Sequence, residues 1–390
     1  MKVRYLIFLL LFVLADVIGT NYILKCFNNQ STLYQFWISI SLLSLQILAS
    51  PIQTGFSDFY CRKKTLLMAL CCSLISIILV YFYSQTKSPS ILFPISIIGI
   101  KGCLGNIIPL SWATIADIQE RNPRFSFGLA TAGYAGGYLL LVASNRFLLN
   151  QQFHLSVISM FVILTFLCAV GLKDTRDGTN IEKRKGKPFF SLVQNDNRLI
   201  IDDLKTKYLR KILFAFLLWE ISLYTILLLY IDFSASKFSV LPVGMMVGYL
   251  FGIFVLKFCN KISDIKMIKL GYYFSILSLI PIFITFPFVK EIDNYLLTFC
   301  YFFHSMGNAF LCPTLFTIIS RVSPSHNWGR KYGLVESSDS IAFLCAFIIL
   351  LIQQALNFSI NLIIAVSFLS MLLSLLPYWE FLKAAPKKIR

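Results

Sequence analysis

The chain has 390 residues, of which 57% are hydrophobic and 14% are charged. A water-soluble domain cannot bury so much apolar surface, so the composition excludes a soluble protein and predicts one whose main solvent is lipid. Ten cysteines are scattered along the chain without a CxxC pair or a His/Cys cluster. We therefore expect buried free cysteines, with no disulfide framework, bound metal or cofactor.

Apolar runs of about twenty residues, the length that an α-helix needs to cross a hydrocarbon core, recur along the chain. They predict an all-α integral membrane protein with twelve transmembrane helices (spans 1 to 12), near residues 4–24, 34–53, 65–84, 90–116, 127–148, 153–172, 211–232, 238–258, 268–288, 294–320, 332–354 and 358–380. The first run is long and carries Asp16, which favours a retained span over a cleaved signal peptide.

A polar stretch at 173–210 divides the chain into two six-helix halves, 1–172 and 211–390. Landmarks in the halves repeat at a nearly constant spacing: the pairs Asp58/Asp264, Pro109/Pro313 and Gly128/Gly333 are 206, 204 and 205 residues apart. Pseudo-symmetric parallel halves are a known transporter plan, with the substrate site between them near the middle of the membrane.

Positive charge is unevenly distributed between the predicted loops. Of the 35 Lys and Arg residues, 29 fall on the side that holds both termini and the linker 173–210, and five fall on the other side. Cytoplasmic loops carry this excess, so we expect both termini in the cytoplasm. We also expect a monomeric, multi-pass protein of a bacterial inner membrane. The same bias explains the net charge of +17 without a nucleic-acid partner.

The loop between spans 2 and 3 reads TGFSDFYCRKK over residues 54–64. It resembles the loop signature G-x-L-x-D-R-x-G-R-R-K of the major facilitator superfamily, with matches at Asp58, Arg62, Lys63 and Lys64. The resemblance implies a loop that holds one conformation of the transporter, with Asp58 against a helix N-terminus or an arginine. The alternative is ordinary positive-inside anchoring. Asp264 begins a weaker second copy in the other half.

Spans 1, 4 and 5 are similar to the drug:proton antiporter branch of that family. The matching positions are Asp16, Gly19, Gly102, Gly105, Asp117, Arg124, Gly128 and Gly137. The Gly-Pro pair that closes the span-5 motif is replaced by Leu141 and Val142, which weakens the case for export. The resemblance implies that Asp117 and Arg124 belong with the conformational loop.

One ionisable residue lies in each of spans 1, 4, 7 and 10: Asp16, Lys101, Glu220 and His304. At about 1.5 Å per residue all four fall roughly 14–18 Å deep in a core about 30 Å thick. In the resembled fold these four spans line the central cavity. Ionisable residues inside a membrane usually mark a transport or proton pathway, although each could instead be a structural residue capped by a neighbouring helix.

These residues are expected to have different roles. Asp16 and Glu220 are candidate proton carriers, and His304 is a candidate relay because imidazole titrates near neutral pH. The expected substrate-cavity residues are Lys101, which would neutralise one of the acids or bind an anionic group, and Asn21, Trp112, Tyr134, Trp219, Tyr224, Asn308 and Asp339.

No P-loop, nucleophile motif or metal-ligand spacing is present, so an ATP-driven pump or an enzyme is not expected. The sequence favours a secondary transporter that works by alternating access, with a small-molecule substrate, protons and the lipid bilayer as its partners. Proton-coupled export of a small amphiphilic molecule is the first hypothesis. Proton-coupled uptake of a nutrient such as an amino acid or siderophore is the alternative, and a transporter-like membrane sensor or a membrane enzyme is a remote one.

Overall fold

A computed structural model describes most of the chain. The described residues are 2–26, 32–86, 91–118, 123–143, 151–175, 199–233, 241–259, 261–285, 294–323, 327–356 and 360–384. The predicted linker 173–210 falls largely on residues 176–198, which lie outside these ranges.

Within these ranges the secondary structure is helical. Thirteen helices of twelve residues or more follow in chain order: α1 Lys2–Cys26, α2 Thr32–Phe59, α3 Arg62–Gln85, α4 Leu92–Leu104, α5 Ile107–Ile118, α6 Pro123–Ala143, α7 Gln151–Gly171, α8 Lys207–Phe233, α9 Leu241–Phe258, α10 Asp264–Thr285, α11 Asn294–Val322, α12 Trp328–Leu356 and α13 Ile360–Ala384. A short helical segment at 199–205 precedes α8.

Six helical segments in the described residues are long and apolar enough to cross a membrane. They are Arg4–Ile23, Trp37–Phe59, Arg62–Gln85, Leu92–Ile118, Thr298–Val322 and Trp328–Gln353. Shorter apolar helical segments occur at Leu155–Gly171, Gly244–Phe258 and Ala365–Phe381. Length and composition therefore fit a helical membrane protein, as the hydrophobic pattern predicted.

The chain divides into two compact units. The first unit contains residues 1–202 and 320–337, and the second contains 203–319 and 338–390. Helix α12 thus begins in the first unit and ends in the second. In the first unit α1 packs on α6, and α4 packs on α2 and α3, whereas the main helix pair of the second unit is α8 with α13.

Helices α1 and α6 approach closely because two glycines of α6 face α1. A Cβ atom at Gly133 would lie 2.5 Å from the carbonyl oxygen of Leu10, and one at Gly137 would lie 2.8 Å from Cβ of Val17. Small residues permit such close backbone contact between membrane helices. The helix that carries Asp16 is thus held tightly against its neighbour.

The predicted fourth span, 90–116, is not one continuous helix. It divides into α4 and α5 at Gly105 and Asn106. Pro109 favours a break at this position, because proline has no N–H to donate to the carbonyl of residue 105 and its ring clashes with that carbonyl. The break places the N-terminus of α5 inside the span.

Candidate functional site

The predicted buried charges Asp16 and Lys101 form an ion pair inside the first unit. Lys101 is fully buried and Asp16 is 4% exposed. The Lys101 ammonium also donates to the Ser73 hydroxyl at 3.2 Å and to the Gly105 carbonyl at 2.9 Å. All three ammonium protons therefore have acceptors, which a buried cation requires.

Asp16 also lies at the N-terminus of α5. Its carboxylate faces the backbone N–H groups of Ile107 and Ile108, the first two residues of that helix. The first N–H groups of a helix have no partner within it, and the helix dipole makes this end positive. The break in span 4 thus supplies Asp16 with two donors in addition to Lys101.

Sequence reasoning missed the residues that complete this arrangement. Gln53 and Ser73 are both buried, and their side chains contact the broken backbone of span 4 at Leu104, Gly105 and Asn106. Pro109 was the available signal, because a proline inside a span leaves an unpaired carbonyl four residues earlier that needs a donor from elsewhere.

The predicted conformational loop forms a second polar cluster in the first unit. Asp58, at the end of α2, is 2% exposed and accepts from Arg62 at 2.6 Å. It also accepts the backbone N–H groups of Gly329 at 2.8 Å and Arg330 at 2.9 Å, in the first turn of α12. Asp58 therefore contacts both an arginine and a helix N-terminus.

Arg62 connects this cluster to the other end of α5. Its Nε atom donates to Asp117 at 2.8 Å, and its Nη1 atom donates to the Ser57 hydroxyl and, at 3.5 Å, to the Thr54 carbonyl. Asp117 also accepts from the Thr175 hydroxyl at 3.1 Å. Helix α5 thus has an acid at each end. Asp16, of the ion pair with Lys101, lies at its start, and Asp117, of the Arg62 cluster, lies at its end.

Other residues of the expected loop set take different places. Lys63 is half-buried and Lys64 is exposed. Arg124 is buried at the start of α6, and Asp264 is buried in the first turn of α10 in the second unit. Burial and a hydrogen bond with Asp174 raise the pKa of the Cys61 thiol, which lies between Asp58 and Arg62 in sequence.

Glu220 and Asp339 are the predicted acids of the second unit on α8 and α12. Glu220 is 4% exposed and receives one long contact, 3.6 Å, from the Cys312 thiol, which also contacts Asn308. The Tyr224 hydroxyl is hydrogen-bonded to both carboxylate oxygens of Asp339, at 2.9 and 3.0 Å. Among the residues that the structure describes, no ion pair reaches Glu220 or Asp339. This differs from Asp16.

His304 lies within the second unit and is 2% exposed. Its ring is nearly parallel to that of Trp219, with centroids 5.6 Å apart, and Trp219 meets Tyr272 edge-on at 4.9 Å. Neither ring nitrogen of His304 has a hydrogen-bond partner within the described ranges. The structure places this histidine in an aromatic cluster.

The remaining predicted cavity residues are Trp112, Asn21 and Tyr134. In the first unit Trp112 packs at a tilt against Tyr332, with centroids 6.5 Å apart. Asn21 bonds back to its own helix at Val17, and Tyr134 is half-buried. A search of the described residues for three or more His, Cys, Asp or Glu side chains that could hold a metal ion finds none.

Comparison of the sequence with models of protein families identifies the family of this chain. Residues 5–346 match the model of the Major Facilitator Superfamily. The chain belongs to this superfamily. A comparison with curated protein sequences finds no match.

Solved structures share the fold over nearly the whole chain. The human organic anion transporter MFSD10 (TETRAN) aligns with a TM-score of 0.75 at 16% identity, covering 97% of this chain and 99% of that one. A bacterial homologue of the iron transporter ferroportin, in its outward-facing state, gives 0.68 at 14% identity, covering 98% and 99%. The proton:xylose symporter XylE gives 0.71 at 13% identity, covering 97% and 95%. At these identities the likeness shows the fold alone.

The family match and the shared fold confirm several predictions. The protein is an all-helical, multi-pass membrane protein with the major facilitator fold, and it is a transporter rather than an enzyme. Transporters of this superfamily carry small molecules across a bilayer. The substrate, the direction of transport, the coupling ion and the roles of single residues stay predictions.

Proposed function

We propose that this protein is a proton-coupled secondary transporter that exports a small amphiphilic molecule, with Asp16 as the proton carrier. The buried ion pair of Asp16 with Lys101 at the broken fourth span carries the proposal. An ammonium and two helix N–H groups surround this acid. When the acid takes up a proton, it loses the negative charge that stabilises these groups.

The chemistry at Asp16 gives a reason for coupling. While Asp16 is charged, its carboxylate balances Lys101 and the N-terminus of α5. A proton on Asp16 removes that balance and leaves a buried ammonium without its counter-charge, which costs several kcal/mol. Rearrangement of α4 and α5 around Asp16 relieves this cost, so proton binding favours a second conformation.

The Asp58 cluster is proposed to hold one of the two conformations. Three charge-assisted hydrogen bonds join Asp58 to Arg62 and to the first turn of α12. A carboxylate at a helix N-terminus is favourable in charge as well as in hydrogen bonding. Separation of α2 from α12 would lose these contacts together, so the cluster suits a two-state latch.

In the second unit we propose that Glu220 is the second-ranked proton carrier. It is buried, and no cation is paired with it in the described ranges, so neutralisation by a proton is the available way to remove its charge cost. His304 ranks lower, because its ring nitrogens have no partner in the described residues that would relay a proton.

The orientation and organisation follow the sequence. We propose halves at 1–172 and 211–390 with a linker at 173–210, and we place the linker and both termini in the cytoplasm of a bacterial inner-membrane protein that acts as a monomer. The distribution of Lys and Arg supports this orientation.

The test is a flux measurement in proteoliposomes that contain the trapped pH dye pyranine. Addition of an amphiphile, with ethidium as the first probe of a panel, is expected to move protons in the native protein. Asp16→Asn should abolish accumulation driven by a pH gradient while downhill exchange continues, because exchange requires no net proton release. Glu220→Gln is tested in parallel.

The outcomes separate the hypotheses. Full gradient-driven accumulation by both variants would refute the assignment of the proton carriers. Proton and substrate movement in the same direction would replace export by the uptake alternative, in which a nutrient such as an amino acid enters with the proton.

A further inference from the structure

The break in span 4 leaves a defined set of backbone groups without helical partners. In a continuous helix the carbonyl of Leu104 would accept from Ile108 N–H, and that of Gly102 would accept from Asn106 N–H. Here Ile108 N–H faces Asp16 instead. The carbonyl of Gly105 would need the N–H that Pro109 lacks. A buried break of this kind is stable when other groups satisfy these atoms.

The side chain of Gln53, on α2, forms hydrogen bonds with two of these backbone groups. Its Nε2 atom donates to the carbonyl of Leu104 at 2.5 Å, and its Oε1 atom accepts from the N–H of Asn106 at 3.3 Å. Gln53 is 5% exposed. Both ends of the amide are thus used on the two backbone groups that flank Gly105.

Other side chains satisfy the remaining groups of the break. Lys101 and Ser73 donate to the carbonyl of Gly105, at 2.9 and 3.4 Å. The side-chain amide of Asn106 donates to the carbonyl of Gly102 at 3.3 Å, in place of its own backbone N–H. The carbonyls of Gly102, Leu104 and Gly105 therefore all have side-chain donors.

The contact with Leu104 has a consequence for Asp16. The carbonyl that Gln53 occupies is the acceptor to which Ile108 N–H would return if the helix closed. Closure of the helix and the orientation toward Asp16 compete for the same N–H group. By occupying Leu104, Gln53 biases this competition toward the broken helix.

We propose that Gln53 is a positioning residue of the coupling site, which holds span 4 open so that the first turn of α5 stays on Asp16. Gln53 acts through the backbone of span 4 and does not touch the proton carrier itself. The inference rests on the proposed proton coupling for its functional meaning, but the geometry that it describes can be tested without transport.

The charged surroundings of Asp16 are simple. Lys101, on α4, is the charged group that acts on Asp16. The described residues of α2, α3, α5, α6 and α7, the helices packed against α1, add no further charged group that acts on it. From α3 the hydroxyl of Ser73 contacts Lys101, and the thiol of Cys72 lies near it. A change in the donors from α5 should therefore be visible in the titration of Asp16.

The experiment follows the carboxyl C=O infrared band of Asp16 against pH in the purified, lipid-reconstituted protein. The band is assigned by its loss in Asp16→Asn. In Gln53→Met, which keeps the side-chain volume, closure of the helix takes donors from the carboxylate, so its charged form becomes less favourable. The titration midpoint should move upward by about one pH unit, the effect of losing roughly one hydrogen bond to a charged group.

Pro109→Ala tests the same competition from the other side. It restores an N–H that can bond to Gly105 and so favours the closed helix, and its midpoint should move in the same direction. This variant also keeps the proposal testable if Gln53→Met fails to fold.

Matched controls exist for both variants. Gln46→Met replaces another buried glutamine of α2, two turns earlier, and Pro313→Ala replaces the corresponding proline of α11, which runs unbroken from Asn294 to Val322. Neither control should move the midpoint. A midpoint in Gln53→Met and Pro109→Ala that matches the controls would overturn the inference.

The result is separable from the proposed function. A shifted Asp16 titration in a protein that moves no protons with any amphiphile would leave Gln53 as a positioning residue and refute proton-coupled export. If the protein couples transport to protons but Gln53→Met leaves the Asp16 titration unchanged, the role of Gln53 is refuted and the proposed function stands.

Discussion

Replacement of Asp58 by asparagine should release the first turn of α12. The carboxylate accepts from the Arg62 guanidinium and from the N–H groups of Gly329 and Arg330. Asparagine offers one oxygen, and its NH₂ group would face another donor. The variant therefore loses one of the three bonds if its oxygen takes the place of Oδ1 and two if it takes the place of Oδ2. It also removes one of the two carboxylates that are paired with Arg62.

The size of the effect follows from burial. Removing one partner of a buried charged pair costs about 3–5 kcal/mol. At about 1.4 kcal/mol for each factor of ten, local opening of this turn becomes about a hundredfold or more easier. Asp58→Asn should also transport poorly while remaining inserted, because it loosens a latch and leaves the coupling residue Asp16 in place.

Hydrogen exchange followed by mass spectrometry measures this opening without a substrate. In peptides that cover Gly329 and Arg330, amide exchange should accelerate about a hundredfold or more in Asp58→Asn. Asp174→Asn, which removes a nearby negative charge, is the control and should leave these peptides unchanged. Equal exchange in native and Asp58→Asn protein would refute the latch and reduce Asp58 to a topology signal.

Two further predictions concern the ion pair and the orientation. Lys101→Ala should destabilise the protein or abolish coupling, because it leaves the Asp16 carboxylate buried without its cation, and the double variant with Asp16→Asn should partly recover thermal stability. Additive damage would argue against the pairing. A reporter enzyme fused near Lys185 should be active in the cytoplasm, and activity confined to the other side would refute the proposed topology.

The hydrophobic pattern of the sequence predicted the helical membrane fold but not the break in span 4. Runs of apolar residues predict spans because length and composition decide whether a helix can cross a membrane. Pro109 and Pro313 are 204 residues apart and equivalent in the repeat, yet span 4 breaks while α11 continues. A proline at this position is therefore insufficient by itself to break the helix. At the break, Gln53 of α2 and Ser73 of α3 supply donors from outside the local sequence, which no local pattern reveals.

The sequence predicted which residues of the candidate site are unusual better than it predicted which residues they contact. Depth along the spans indicated that Asp16, Lys101, Glu220 and His304 were unusual, since ionisable residues are costly in lipid. The choice of Asp16 as the partner of Lys101 depends on helix packing, which spacing along one chain does not encode. His304 illustrates the same limit, because the ring beside Trp219 could not be placed from its depth.

The close contact of α1 with α6 has a consequence for natural variation. Val17 follows Asp16 directly, and its Cβ atom would lie only 2.8 Å from a methyl group at Gly137. An alanine there would push α1 away and move the acid relative to Lys101, although α6 contributes no group to the ion pair. Loss-of-function variants are thus expected at an uncharged position on a neighbouring helix. A survey of harmful substitutions restricted to titratable residues would overlook them.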